Sequence, residues 1–211
     1  SFEVESLPAD TYDIEWNIAE SDNYGPSTGS ANYIVEQGTP VFDITGTDKI
    51  NYGQNNTIVP TITDGATGSI TYSIGGETIG QTNVGENFVY GSDLNAGTYT
   101  VVAQYSGDDN YVGASAEFTF EVVPIDVDVT VANVELVYPN TGTVTVTANV
   151  PGTYTVTING KDYEVAVADG TGSKEIPDVF GVGDYAIGVT ADLGGNYNTV
   201  NIPNAATYSV T

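Results

Sequence analysis

The chain has no cysteine, histidine, methionine or arginine, and its only basic residues are Lys49, Lys161 and Lys174. Without cysteine there are no disulfides to staple small domains. Without histidine or cysteine the commonest general base and two kinds of metal ligand are missing, so the sequence reads as non-enzymatic. Carboxylate pairs of the kind that hydrolyse glycosides carry no weight here, because 28 acids produce pairs by chance. Three bases against those acids leave a net charge of −25 in 211 residues. The charge is spread evenly, with −8 in residues 1–38, −9 in 39–124 and −8 in 125–211. No basic face exists, which excludes nucleic acid and direct membrane contact as partners. Such a surface attracts cations and keeps an exposed chain soluble. No apolar run reaches membrane-spanning length.

What the sequence does have is one phrase written three times. It reads Leu7-Pro-Ala-Asp-Thr-Tyr12 with Asp22-Asn23-Tyr24, then Leu94-Asn-Ala-Gly-Thr-Tyr99 with Asp109-Asn110-Tyr111. The third copy is Phe180-Gly-Val-Gly-Asp-Tyr185 with Gly195-Asn196-Tyr197. Successive copies lie 87 and 86 residues apart for both tyrosines. A period that steady marks tandem copies of one module and points to an array, where repetition supplies length or avidity.

Period-two alternation recurs along the chain and no helical stripe does, so the modules are all-β. The strand after each first tyrosine alternates cleanly: Tyr12, Ile14, Trp16 and Ile18 face one way, and Tyr99, Val101, Ala103 and Tyr105 follow suit. Tyr185, Ile187, Val189 and Ala191 form the third set. Each set reads as one buried face opposite a wet one. Gly75-Gly76 and Asn159-Gly160 supply the positive φ angles of two-residue hairpin turns. Seven strands are expected in the middle copy, near 41–45, 56–62, 69–74, 77–79, 86–90, 98–105 and 115–122. Seven are expected in the last, near 127–137, 143–150, 152–158, 161–168, 173–176, 184–191 and 206–211.

Seven short antiparallel strands in under 90 residues predict tandem β-sandwiches arranged end to end. Residues 1–38 then hold the last three strands of a module, while 39–124 and 125–211 are complete modules. Three strands cannot cover two sheet faces, so 1–38 is either an excerpt of a longer array or is completed by strands from elsewhere. Trp16, the sole tryptophan, falls in that least protected core. The prolines in Gln37-Gly-Thr-Pro40 and Val123-Pro-Ile-Asp126 favour stiff junctions.

The tyrosine phrase, together with Tyr105-Ser-Gly-Asp-Asp-Asn-Tyr111, resembles the bacterial Ig-like repeat domains strung through adhesin-like surface proteins of bacteria and methanogenic archaea. The resemblance implies an Ig-like sandwich, an extracellular cell-surface location and a spacer or adhesion role. The third copy departs from it, since Leu193-Gly-Gly-Asn-Tyr197 lacks the acidic pair. The Gly- and Thr-rich composition and the Asn55-Asn56-Thr57 sequon are compatible with an extracellular setting.

Tyr12, Tyr99 and Tyr185 match the tyrosine corner of Greek-key sandwiches, whose hydroxyl bonds back to upstream backbone. A sugar-stacking platform is the functional alternative, but these tyrosines open the inward-facing series. Tyr24, Tyr111 and Tyr197 sit on a connecting turn, as loop packing or as a contact surface. Asp108, Asp109 and Asn110, with Asp22 and Asn23 as counterparts, are calcium candidates, since hard oxygen ligands on a turn suit that ion. Their bland reading is ordinary turn chemistry, in which Asp and Asn bond their own backbone. An intramolecular amide cross-link through Lys49 lacks an Asn or Asp on the last strand of its module, Ala116–Val122.

The sequence therefore reads as a stalk or spacer that displays a binding region and requires no cofactor. Its expected partners are neighbouring repeats of the same array. Two alternatives stand beside it: a module binding a host or partner cell-surface glycan or protein, with calcium as an accessory, and a module completed by strand exchange at residues 1–38.

Overall fold

The computed structural model describes residues 7–211. They contain eighteen strands, and none of the described residues forms a helix long and apolar enough to cross a membrane. They fall into two compact units. The first comprises the chain through Ile50 with 55–92 and 98–121; the second comprises 51–54, 93–97 and 122–211.

In the first unit β3 (Phe42–Thr45), β5 (Asn56–Ile62) and β8 (Phe88–Tyr90) form one sheet in the order β3-β5-β8. The second sheet runs β4-β10-β9-β6-β7, from β4 (Lys49–Asn51), β6 (Ser69–Ile74), β7 (Glu77–Asn83), β9 (Gly97–Tyr105) and β10 (Ala114–Val123). In Ig lettering these sheets are A-B-E and A′-G-F-C-C′, a strand order with Greek-key crossovers. The alternation that favours strands also fills the space between the sheets. Ile44, Ile58, Ile70, Tyr72, Val101, Ala103, Tyr105, Phe120 and Val122 are all buried. Tyr72 stacks on Phe88 from the facing sheet with centroids 4.3 Å apart.

The second unit repeats the plan. Its three-stranded sheet is β11 (Val129–Val131), β13 (Thr143–Ala148) and β16 (Thr171–Glu175). Its five-stranded sheet runs β12 (Val134–Leu136), β18 (Val200–Val210), β17 (Gly183–Ala191), β14 (Gly152–Ile158) and β15 (Lys161–Val167). One core joins Val144, Val146, Tyr154, Val156, Ile158, Val165, Ile176, Ile187, Val189 and Tyr208. The turn glycines behave as their chemistry requires. Gly75 and Gly76 sit at φ 60° and 86°, and Asn159 and Gly160 at 50° and 74°, the signs a type I′ hairpin needs.

Three expectations are corrected. The strand near 127–137 is two short strands, the first antiparallel to β13 in one sheet and the second parallel to β18 in the other. A single straight strand cannot serve both sheets of a sandwich, so the chain breaks at Ala132-Asn133 and changes sheet. The middle copy makes the same switch, giving β4 beyond the one strand expected near 41–45. The last strand begins at Val200 and not near 206, carrying Pro203 within it. Its pairing with β17 shifts register between Ile187 and Val189, the irregularity where a proline without a ladder donor is tolerated.

The third correction concerns the first copy. Here β1 (Asp10–Ile18) and β2 (Ser27–Val35) form a two-stranded antiparallel sheet, pairing Tyr12 with Tyr33, Ile14 with Ala31 and Trp16 with Gly29. They are the counterparts of strands F and G. The remaining strand expected of this half-module falls in residues 1–6, outside the described residues. The face expected to be buried is open: Ile14, Trp16 and Ile18 are 37%, 46% and 59% exposed. Alternation made the face apolar, but no second sheet lies over it among the described residues.

Candidate functional site: the repeated Asn-Tyr turn

The phrase has two halves that the fold uses differently. Its first tyrosine begins strand F in every copy. The Tyr12 hydroxyl donates to the Pro8 carbonyl at 2.8 Å, and Tyr185 donates to the Gly181 carbonyl at 3.0 Å. The Tyr185 ring leans on Phe180 at 5.2 Å, and the Tyr99 ring lies 6.0 Å from Phe120. Fixing a hydroxyl to backbone four residues upstream pins the loop that enters the strand.

The second half does the holding. In the first unit the Asn110 side-chain oxygen accepts the Ala9 N–H at 3.0 Å, while its carbonyl accepts the Gly38 N–H at 2.8 Å. Val112 N–H returns to the Gly38 carbonyl at 3.0 Å, closing a parallel bridge between Gly38 and Tyr111. In the second unit the Asn196 side-chain oxygen accepts the Ala96 N–H at 2.7 Å, and its carbonyl accepts the Ile125 N–H at 3.1 Å. Asn198 N–H returns to the Ile125 carbonyl at 2.9 Å, closing the bridge between Ile125 and Tyr197. Ala9 and Ala96 occupy the same place in the phrase, three residues before the first tyrosine. Each clasp therefore ties the loop that opens one copy of strand F to the turn that closes the next copy.

The two clasps are reinforced by different residues. Gln37 donates to the Asp108 carbonyl at 2.6 Å in the first unit. In the second, Asn196 also donates to the Asn95 side chain at 2.9 Å, and Asn198 donates to Asp126 at 2.7 Å. The Tyr197 ring meets Tyr52 edge-on with centroids 5.6 Å apart. Tyr111 is half-buried and directs its hydroxyl to the Asp64 carbonyl at 3.4 Å. In the first copy Ser21 and Tyr24 close the turn by backbone bonds of 2.9 and 3.2 Å, and Tyr24 is 79% exposed with Asp22 and Asn23 also exposed.

The acidic residues divide. One Asp108 oxygen accepts the Thr67 N–H at 2.7 Å and its hydroxyl at 3.1 Å; the other accepts the N–H groups of Asn110 and Tyr111, both at 2.8 Å. These backbone donors, Thr67 first, hold its carboxyl well below the usual carboxylate range. Asp108 thus spends its acceptor capacity on shaping the turn that presents Asn110. Beside it, burial pushes the Tyr105 hydroxyl up to about 12, with the Asp108 charge acting in the same sense. Asp109 is exposed. Among the described residues no three acidic side chains converge as a metal cluster. In the third copy Asp192 accepts the Gly194 N–H at 3.2 Å and takes over part of the turn-shaping.

Sequence reasoning missed three pins. Asn56 is buried, accepting the Thr47 N–H at 2.9 Å and donating to its carbonyl at 2.7 Å, which fixes the switch from β3 to β4. Tyr154 donates to the Val150 carbonyl at 2.7 Å, and Tyr208 accepts the Gly142 N–H at 2.9 Å. A lone Asn and Tyr residues inside strands carry no spacing signal. Lys49 pairs with Glu121 at 2.6 Å, and Lys161 pairs with Asp178, both at the surface. A shallow hollow on the outer face of β14, β17 and β18 has Asp184 as its single acidic side chain.

No protein-family model and no curated protein matches the chain. Solved structures resemble it weakly. The fibronectin(III)-like modules of Clostridium thermocellum CbhA share 14% identity over 81% of this chain and 94% of theirs, with a TM-score of 0.35. The titin domains Z1Z2, solved in complex with telethonin, share 11% over 83% and 97%, with a TM-score of 0.43. The four N-terminal Ig domains of Dscam1 share 14% over 86% and 50%, with a TM-score of 0.34. The chain consists of tandem Ig-like β-sandwich domains, a reading that stands on its own strand order.

Proposed function

We propose that this chain is a stalk or spacer segment of an extracellular, adhesin-like cell-surface protein, projecting a binding region carried elsewhere. The observation that carries the reading is the clasp, made twice with the same atoms at the same place in the repeat. A contact surface evolved for a ligand leaves its polar groups free, whereas Asn110 and Asn196 spend theirs on the chain itself. A tandem protein gains length from every copy, and a turn whose polar groups are spent on its own chain suits that role. A strand of nine residues spans roughly 30 Å, which sets the scale of one module. The even negative charge supports an exposed, soluble array whose segments repel one another. Its partners under this reading are neighbouring repeats of the same array, and it needs no calcium.

Small-angle scattering of the chain and of the Asn110→Ala/Asn196→Ala variant tests the proposal. The variant is expected to scatter as a more flexible particle while each sandwich still unfolds cooperatively, its midpoint lowered only by the loss of one hydrogen bond. Identical scattering would remove the clasp as the basis of the function. Saturable binding on a glycan array would replace the spacer with an adhesion module, and a melting temperature lowered by EDTA would add calcium.

A further inference from the structure

The open face of the β1–β2 hairpin is written for burial. Ile14, Trp16 and Ile18 stand where β17 carries Ile187, Val189 and Ala191, and where β9 carries Val101, Ala103 and Tyr105. All six of those counterparts are buried, Ile187 and Val189 completely. On β2, Ala31 and Tyr33 extend the same face, and Gly29 leaves room for the Trp16 ring, which a Cβ there would meet at 2.1 Å. The hairpin also has an unpaired edge among the described residues. In the complete module β6 fills the corresponding edge of β9, pairing Ile74 with Val101 through to Ile70 with Tyr105.

We propose that this face and edge form an acceptor for the leading strands of an Ig-like repeat, the equivalent of β3 and β5–β8. The two complete sandwiches show what covers these positions: an A-B-E sheet over the face and strand C along the edge. A strand equivalent to β6 then pairs with β1 from Ile14 to Ile18, the positions matching Val101 to Tyr105. The occupant is not a second copy of the hairpin. Two nine-residue strands present a face of roughly 300 Å², so two hairpins together bury roughly 600 Å², below the area of a stable interface. Residues 1–38 also carry −8 without a single base, so copies repel.

Trp16, as the sole tryptophan, reports on the site directly. The probe is a polypeptide of residues 39–96 of this chain, added to the full chain. A second arm fuses the same segment ahead of residue 1, where high effective concentration compensates for weak affinity. Trp16 emission is expected to shift to the blue, and its quenching by acrylamide to fall several-fold, because a covered indole is shielded from the quencher. The change should be absent in Ile14→Asp/Ile18→Asp, whose two sandwiches should melt as in the parent chain. Unchanged Trp16 quenching in the fused chain overturns the proposal, as does an equal change in the double variant. A blue shift that grows with concentration of the chain alone overturns it in favour of a second copy.

Discussion

Strands β1 and β17 carry the same phrase, one in a sheet of two strands among the described residues and the other in the middle of a five-stranded sheet. Both alternate, both open on a tyrosine whose hydroxyl returns four residues upstream, and both are followed by an Asn-Tyr turn. Yet Ile187 is fully buried and its counterpart Ile14 is not. The local pattern specifies which side of a strand is apolar. Whether that side is worth anything to stability depends on a facing sheet, which comes from strands distant in sequence.

The largest effect expected from this contrast is in the core. Ile187→Ala should destabilise the second unit by about 2–5 kcal/mol in urea titrations, through lost transfer energy and an unfilled cavity. Ile14→Ala should change stability by about 0.5 kcal/mol or less, as at other surface positions. Equal losses would break the contrast, and a larger Ile14 loss in the chain fused to the 39–96 segment would sharpen it.

Next come the clasps. Asn110→Ala and Asn196→Ala should each cost about 1 kcal/mol, the net worth of a hydrogen bond plus a donor left unmatched. Asn196 bonds through both ends of its amide, so its loss should be the larger, read as a difference in unfolding midpoint. An Asn23→Ala variant should show no loss, since that turn is exposed.

The smallest effects are in pH dependence. Asp108 binds its proton more weakly folded than unfolded, so its contribution is present above its ordinary value of 3.8 and is lost as the pH falls below it. Asp108→Ala should lower the melting temperature of the first unit at neutral pH and flatten its acid-side decline. Tyr105 runs the other way. Its folded hydroxyl holds its proton up to about 12 against 10, so stability present below pH 10 is lost between pH 10 and about 12. Tyr105→Phe should remove that alkaline slope; the third copy has Ala191 at this position and no such group to titrate.

Most strand positions, the hairpin turns and the repeat spacing were legible before the fold, because alternation, Asn-Gly or Gly-Gly pairs and repetition are local signals. The sheet-switching first strands were not, since a break of two ordinary residues at Ala132-Asn133 has no signature apart from the sheets it joins. The Asn-Tyr turn was legible as a repeated feature, while its partners were not. Ala9 and Asn110 are 101 residues apart, and the bond uses a backbone N–H that any residue type supplies. Asp108, one of the acids that drew attention to the turn, is scaffolding, and the asparagine of the phrase makes the contact in the second and third copies.

By itself, the sequence determined that this protein is a tandem β-strand array with a net charge of −25 and neither histidine nor cysteine. Those properties follow from composition, period and alternation, which need no long-range contact. Only the tertiary structure decided which apolar faces are covered, which turn clasps which loop, and that the first copy presents its core side to solvent. Burial and hydrogen-bond partners are relations between distant segments, and no single segment carries them.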